Sequence, residues 1–130
     1  MPNQIVVAGA LIAGGALLVA QRERPHELAG LWELPGGKLA PGESDADGLA
    51  RELHEELGVE VAVGEQLGAD VALNQTTTLR AYRVTQIEGV LRANDHRALR
   101  WVTADELESL PWVPADRAWL GDLARALDSP

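Results

Sequence analysis

The chain has 130 residues, 46% of them apolar and 24% charged, a size and composition that fit one soluble globular domain spanning 1–130 and exclude two. A net charge of −9 excludes a protein that grips DNA or RNA through clustered lysine and arginine. The absence of cysteine excludes disulfides and thiolate metal sites, and a cytoplasmic setting is expected.

The apolar runs Gln4–Leu11 and Ala16–Gln21 flank Gly14-Gly15 and predict a strand hairpin. No basic residue precedes the first run and the glycine pair interrupts it, so neither a signal peptide nor a membrane span is expected. Arg22–Leu31, with Pro25 and Gly30, reads as a loop. Trp32–Leu34 reads as a brief strand ended by Pro35-Gly36-Gly37, and Pro41-Gly42 as a turn. Ser44 is a good N-cap for a helix running to Leu57, where Gly58 stops it. Val59–Gly68 and Thr76–Ile87 alternate as strands, with a tight turn expected at Glu88-Gly89. Ala98–Val102 is a further strand, and Thr103-x-x-Glu106 opens a short helix ending near Ser109. A last amphipathic helix over Ala115–Leu127 places Leu120, Leu123 and Leu127 on one side. Strands with helices between and after them predict an α+β fold, a mixed sheet covered by helices on both faces.

On the central helix Leu49, Leu53 and Leu57 form one apolar stripe, because successive residues turn by about 100°. Glu52 and Glu56 lie along its edge, with Glu55 one step further round. No lysine accompanies these carboxylates, so they repel one another unless a divalent cation joins them. Hard oxygen ligands select magnesium, with manganese as the alternative. Arg51 stands four residues before Glu55 and is placed to pair with it. The rival reading is a solvated helix face; the Gly36-Gly37 loop and Glu43 just upstream speak against it.

The stretch Gly37-x5-Glu43-x7-Arg51-Glu52-Leu53-x-Glu55-Glu56-x-Gly58-Val59, over residues 37–59, fills every fixed position of the Nudix box and resembles it closely. That resemblance implies a Nudix α/β/α sandwich and hydrolysis of phosphoanhydride bonds. It also implies that Glu52, Glu55, Glu56 and the backbone carbonyl of Gly37 or Gly36 hold magnesium. Glu43 would support the helix, and Arg51 would orient a catalytic carboxylate. The general base is either Glu52 or an acidic residue of a distant loop, here Asp95, with His96 beside it.

Val19–Arg22, Gly30–Lys38, Asp95–Trp101 and Pro114–Asp116 are similar to the MutT-type branch, which cleaves nucleoside triphosphates to monophosphate and pyrophosphate. The Pro-Ala-Asp ending is closer to the CTP pyrophosphohydrolases. By this resemblance Arg22 binds phosphate, Lys38 reaches an anion, and Trp32 and Leu34 pack a base. Asp116 stands where relatives that clear oxidised guanine carry Asn. An amide donates and accepts, whereas an ionised carboxylate only accepts, which suits the exocyclic amine of cytosine. The expectation is a monomeric nucleotide-pool sanitation enzyme for CTP, dCTP or 5-methyl-CTP, with residual activity on 8-oxo-dGTP and no membrane or nucleic-acid partner. The alternatives are a Nudix hydrolase of ADP-ribose or dinucleoside polyphosphates, and a non-catalytic nucleotide sensor. The retained glutamates weigh against the last.

Overall fold

The computed structural model describes residues 3–128; Met1, Pro2, Ser129 and Pro130, the ends of the expected domain, lie outside the described residues. Strands β1 (Gln4–Ala13) and β2 (Ala16–Gln21) form the expected hairpin, with Ile12 opposite Leu17 and Ala13 opposite Ala16. Gly14 and Gly15 turn it with φ of 58° and 77°, the left-handed pair that a two-residue hairpin needs and that side chains resist. Next come β3 (Trp32–Glu33), β4 (Gly36–Lys38), helix α1 (Asp45–Leu57), β5 (Val59–Ala72), β6 (Thr77–Gly89), β7 (Ala98–Val102) and helix α2 (Leu120–Asp128). The sheet runs β3-β2-β1-β6-β5, with β4 against β1 and β7 against β2. The β1–β6 ladder is parallel and the rest are antiparallel, so the sheet is mixed as expected.

β1 is buried on both faces, and its side chains alternate between two cores. Val7 and Leu11 pack with Leu49, Leu53 and Leu57 of α1, while Ala8 and Ala10 pack with Trp119, Leu123 and Ala126 near the C-terminus. Helices therefore cover both faces, giving the three-layer α+β sandwich. Each of the three α1 leucines is fully buried, a contribution of about 1.5–3 kcal/mol apiece. Among the described residues no helix is long and apolar enough to cross a membrane.

Five expectations need correction. Gly36–Lys38 is a strand, not the end of one: Gly36 pairs with Ala8, Gly37 with Val7 and Lys38 with Val6. Glu88-Gly89 is not a turn but the end of β6, paired with Glu60 and Val59 beside a register shift in the ladder. The β5–β6 connection lies at residues 73–76, and β5 runs on past Gly68. The final helix is split, since Pro114–Trp119 is a 3-10 turn and only Leu120 onward is α-helical. The Thr103 segment is likewise a 3-10 turn (Ala104–Glu106), with the Glu106 carboxylate accepting from both Thr103 N and Oγ1.

Candidate active site

Helix α1 is fixed at both ends. Ser44 Oγ accepts from Asp47 N at 3.1 Å, and Gly58 closes the helix in the left-handed conformation with its N–H on His54 O. In its first turn Asp45 takes Arg80 Nη1 at 2.9 Å and the Tyr82 hydroxyl, tying the helix to β6; Arg80 in turn holds Asp70. At the other end the β6–β7 loop caps free carbonyls, with Arg92 N on Leu57 O at 2.8 Å and Asn94 N on Glu56 O at 3.0 Å. The helix edge bearing the glutamates thus keeps its place against β4 and that loop.

Along this edge burial falls from Glu56, whose side chain is 10% exposed, to Glu52 at 17% and Glu55 at 57%. Glu52 faces Gly37 so closely that a Cβ there would lie 2.3 Å from its Oε2. A Cβ on Gly36 would lie 1.9 Å from Val7 O. The two glycines therefore let backbone, strand and carboxylate meet where no larger residue fits.

The expected Arg51–Glu55 pair is the weakest contact that Arg51 makes, at 3.5 Å. Its guanidinium grips Glu43 through two bonds of 2.8 and 2.9 Å, and Glu52 through one of 2.9 Å; it also donates to Lys38 O. Arg51 therefore joins the turn, β4 and the helix, and orients Glu52 rather than Glu55. Its hydrogen bonds, with that from Ala40 N, lower the Glu43 carboxyl to about 2. Glu43 thus ties Ala40 N and Arg51 together.

Glu56 has the opposite environment. Burial first, then the charges of Glu52, Glu33 and Asp95, push its carboxyl far above the usual range. Its Oε1 is buried with no hydrogen-bond partner among the described residues. Such a carboxyl takes up either a proton or a cation, and two adjacent carboxylates beside glycine carbonyls suit a hard divalent ion. The donor chemistry thus fits a hard divalent cation. Among the described residues no three His, Asp or Glu side chains already converge to hold an ion; Glu52, Glu55 and Glu56 are the carboxylates that would hold it. Asp95 lines the same small cavity as Glu56, but its side chain is half exposed and paired with Arg24 at 3.1 Å.

A second cavity, of about 340 Å³ and mostly apolar walls, opens on the other side of Gly36. Leu34, Leu79 and Val113 line it, with Arg22, Glu33, Lys38 and Asp116 as its charged groups. Arg22, Glu33 and Gly36 border both cavities, so they adjoin along β3 and β4. Arg22 is held in place by Glu33, whose two oxygens lie 3.0 and 3.2 Å from its Nη1. Asp116 is only 4% exposed, and its Oδ2 accepts from Leu34 N at 2.9 Å. Burial raises its carboxyl from 3.8 to about 7, with Glu33 adding to the rise and Leu34 N and Arg22 opposing it.

Trp32 does not border this cavity; it packs against the core that contains Trp112. A tryptophan next to a glycine-rich turn looks like a base platform in sequence, but here Trp32 pairs with Gln21 of β2 and bridges to Trp112, beyond the cavity. Glu33 was not among the expected site residues. It contacts both Arg22 and His96, and its place within Trp32–Lys38 was the available signal.

A NUDIX domain family model matches residues 2–123. This chain belongs to the Nudix family. It is 65% identical over 131 residues to a Mycobacterium tuberculosis (strain ATCC 25618 / H37Rv) protein named "Putative 8-oxo-dGTP diphosphatase 2", covering 98% of this chain and 93% of that protein. It is 41% identical over 113 residues to the "CTP pyrophosphohydrolase" of Escherichia coli K12, covering 85% and 84% of the two chains. The solution structure of the E. coli ORF135 protein is similar with a TM-score of 0.83 at 35% identity, covering 98% of this chain and 93% of that one. The Nudix chain is accordingly a hydrolase of pyrophosphate bonds, of the MutT-like branch.

Proposed function

We propose that this Nudix hydrolase is a magnesium-dependent nucleoside triphosphate pyrophosphohydrolase that releases nucleoside monophosphate and pyrophosphate. It prefers CTP, dCTP and 5-methyl-CTP, retains activity on 8-oxo-dGTP, and acts as a cytoplasmic monomer in nucleotide-pool sanitation. The observation that carries this reading is the adjacency of two unlike cavities: one holds Glu56, whose buried Oε1 has no hydrogen-bond partner among the described residues, and the other holds buried Asp116 among apolar walls. A nucleotide has the same two-part character, a charged phosphate chain joined to a flat, mostly apolar base.

In this reading Glu52, Glu56, Glu55 and the Gly37 carbonyl hold magnesium. The ion would offset phosphate charge and lower the pKa of the attacking water. Arg51 keeps Glu52 oriented; Arg22 borders both cavities, where the phosphate chain must cross, and Lys38 lines the second. Glu52 or Asp95 accepts the proton of the water that adds to phosphorus, while the bridging oxygen leaves with pyrophosphate. Asp116, anchored by Leu34 N, meets the base edge. As a carboxylate it accepts from the cytosine amine; as an acid it can also donate to a carbonyl of an oxidised guanine.

Conversion of CTP, dCTP, 5-methyl-CTP, 8-oxo-dGTP and ADP-ribose to the nucleoside monophosphate, with magnesium and with chelator, tests the proposal. Cytosine nucleotides should be fastest, 8-oxo-dGTP slower, ADP-ribose inert, and all turnover should stop in chelator. Faster turnover of ADP-ribose than of CTP would reject the substrate class.

A further inference from the structure

His96 is a buried ring whose surroundings are not explained by packing alone. Its side chain is 5% exposed, and its loop is fastened to the last carbonyls of α1, including Glu55 O, which takes Asn94 Nδ2 at 3.2 Å. The ring and the Glu56 carboxyl therefore keep a fixed relation. His96 Nε2 lies 2.9 Å from Glu33 Oε2, and Glu33 is held by Arg22. A carboxylate paired with a guanidinium only accepts, so Nε2 carries the hydrogen. In the neutral ring Nδ1 is then a lone-pair acceptor.

That Nδ1 faces Glu56 Oε1 at 4.0 Å, too far for a direct hydrogen bond. Both atoms are buried, and neither has a hydrogen-bond partner among the described residues. His96 and Glu56 line one cavity of about 130 Å³, which has room for water. Two acceptors facing each other across such a gap are satisfied together by one molecule with two donors.

We propose that His96 is a positioning residue for the cation site: its Nδ1 accepts from a water held between the ring and Glu56 Oε1, in the shell of the cation that Glu56 binds. The inference rests on the metal-site reading above. His96 does not touch the ion. It fixes the water, Glu33 fixes the ring, and Arg22 fixes Glu33, so one chain of contacts joins the arginine between the cavities to the buried metal carboxylate. Partners of this kind commonly alter metal affinity by about 10–100-fold.

Two substitutions separate this role from packing. His96→Gln puts an amide nitrogen near the Nε2 position and keeps the Glu33 contact, but offers no acceptor at Nδ1. His96→Asn keeps an acceptor near Nδ1 and gives up Glu33. Manganese binding to nucleotide-free protein, followed by the electron paramagnetic resonance signal of free Mn²⁺, is the readout. His96→Gln should weaken binding by at least about tenfold, while His96→Asn should stay within about threefold of wild type. The nucleotide KM at saturating Mn²⁺ should change by less than about twofold in either variant. Wild-type affinity in His96→Gln, or equal losses in both folded variants, overturns the proposal. A wild-type protein that binds no Mn²⁺, with or without nucleotide, overturns the metal-site reading and this inference together.

Discussion

Among the described residues Glu56 and Asp116 are the two buried carboxyl groups, and each is held at a cost to folding. The Glu56→Gln variant keeps the shape and removes the ionisable oxygen. At neutral pH and without metal it should be more stable than wild type by about 1–3 kcal/mol, and its turnover should fall about 100-fold. Chemical denaturation and steady-state rates check the two halves; a variant that is both less stable and fully active would contradict the assignment. For Asp116 the sign follows from its direction. Folding favours the acid form, because its carboxyl is raised from 3.8 to about 7. Its contribution to stability is full below about pH 4 and is lost as pH rises through about 7. Selectivity should follow the same titration: the ratio of CTP to 8-oxo-dGTP kcat/KM rises between pH 6 and pH 8. In Asp116→Asn that ratio should fall and become flat with pH. A flat ratio in wild type would place the base elsewhere. Both residues stood out in the sequence, Glu56 through the helical period and Asp116 through its departure from a relative's amide. Glu33 did not, because its partners Arg22 and His96 are brought to it by strand pairing and a distant loop.

At the scale of elements, the junction of β4 with β1 and α1 decides whether the site exists. Gly36 meets backbone and Gly37 meets the end of a side chain, so the same substitution has different consequences at each. Gly36→Ala should cost about 4 kcal/mol or more, since Val7 O cannot yield without breaking the β1–β4 pairing. Gly37→Ala should fold within about 1 kcal/mol of wild type yet lose turnover by at least about tenfold, because Glu52 must move aside. Thermal melts and rates on the pair separate the two; equal destabilisation would contradict the geometry. This junction was hidden in the sequence because two glycines carry little strand propensity, and only a partner strand makes Gly36–Lys38 a strand. The long α1 was plain, since its cap, leucine stripe and terminal glycine all agree. The split at Pro114–Trp119 was not. Its 3-10 geometry brings Asp116 and Trp119, three residues apart, onto one buried side, a periodicity that an α-helical reading blurs.

For the whole molecule, a chain of net charge −9 handles a polyanion only if cations stand between them. The fold supplies the place: a mixed sheet with α1 on one face and α2 on the other, and two cavities that adjoin along β3 and β4. The helix-covered mixed sheet could be read from the order of strands and helices along the chain. The joining of the cavities could not, because it depends on β2, β3 and β4 meeting residues from both ends of the chain. The most direct measurement of the central claim is a ³¹P NMR time course of CTP with the protein, in magnesium and in excess chelator. The expected spectrum shows CMP and pyrophosphate growing together in magnesium and no change in chelator. CDP and inorganic phosphate as products, or equal turnover in chelator, would contradict it.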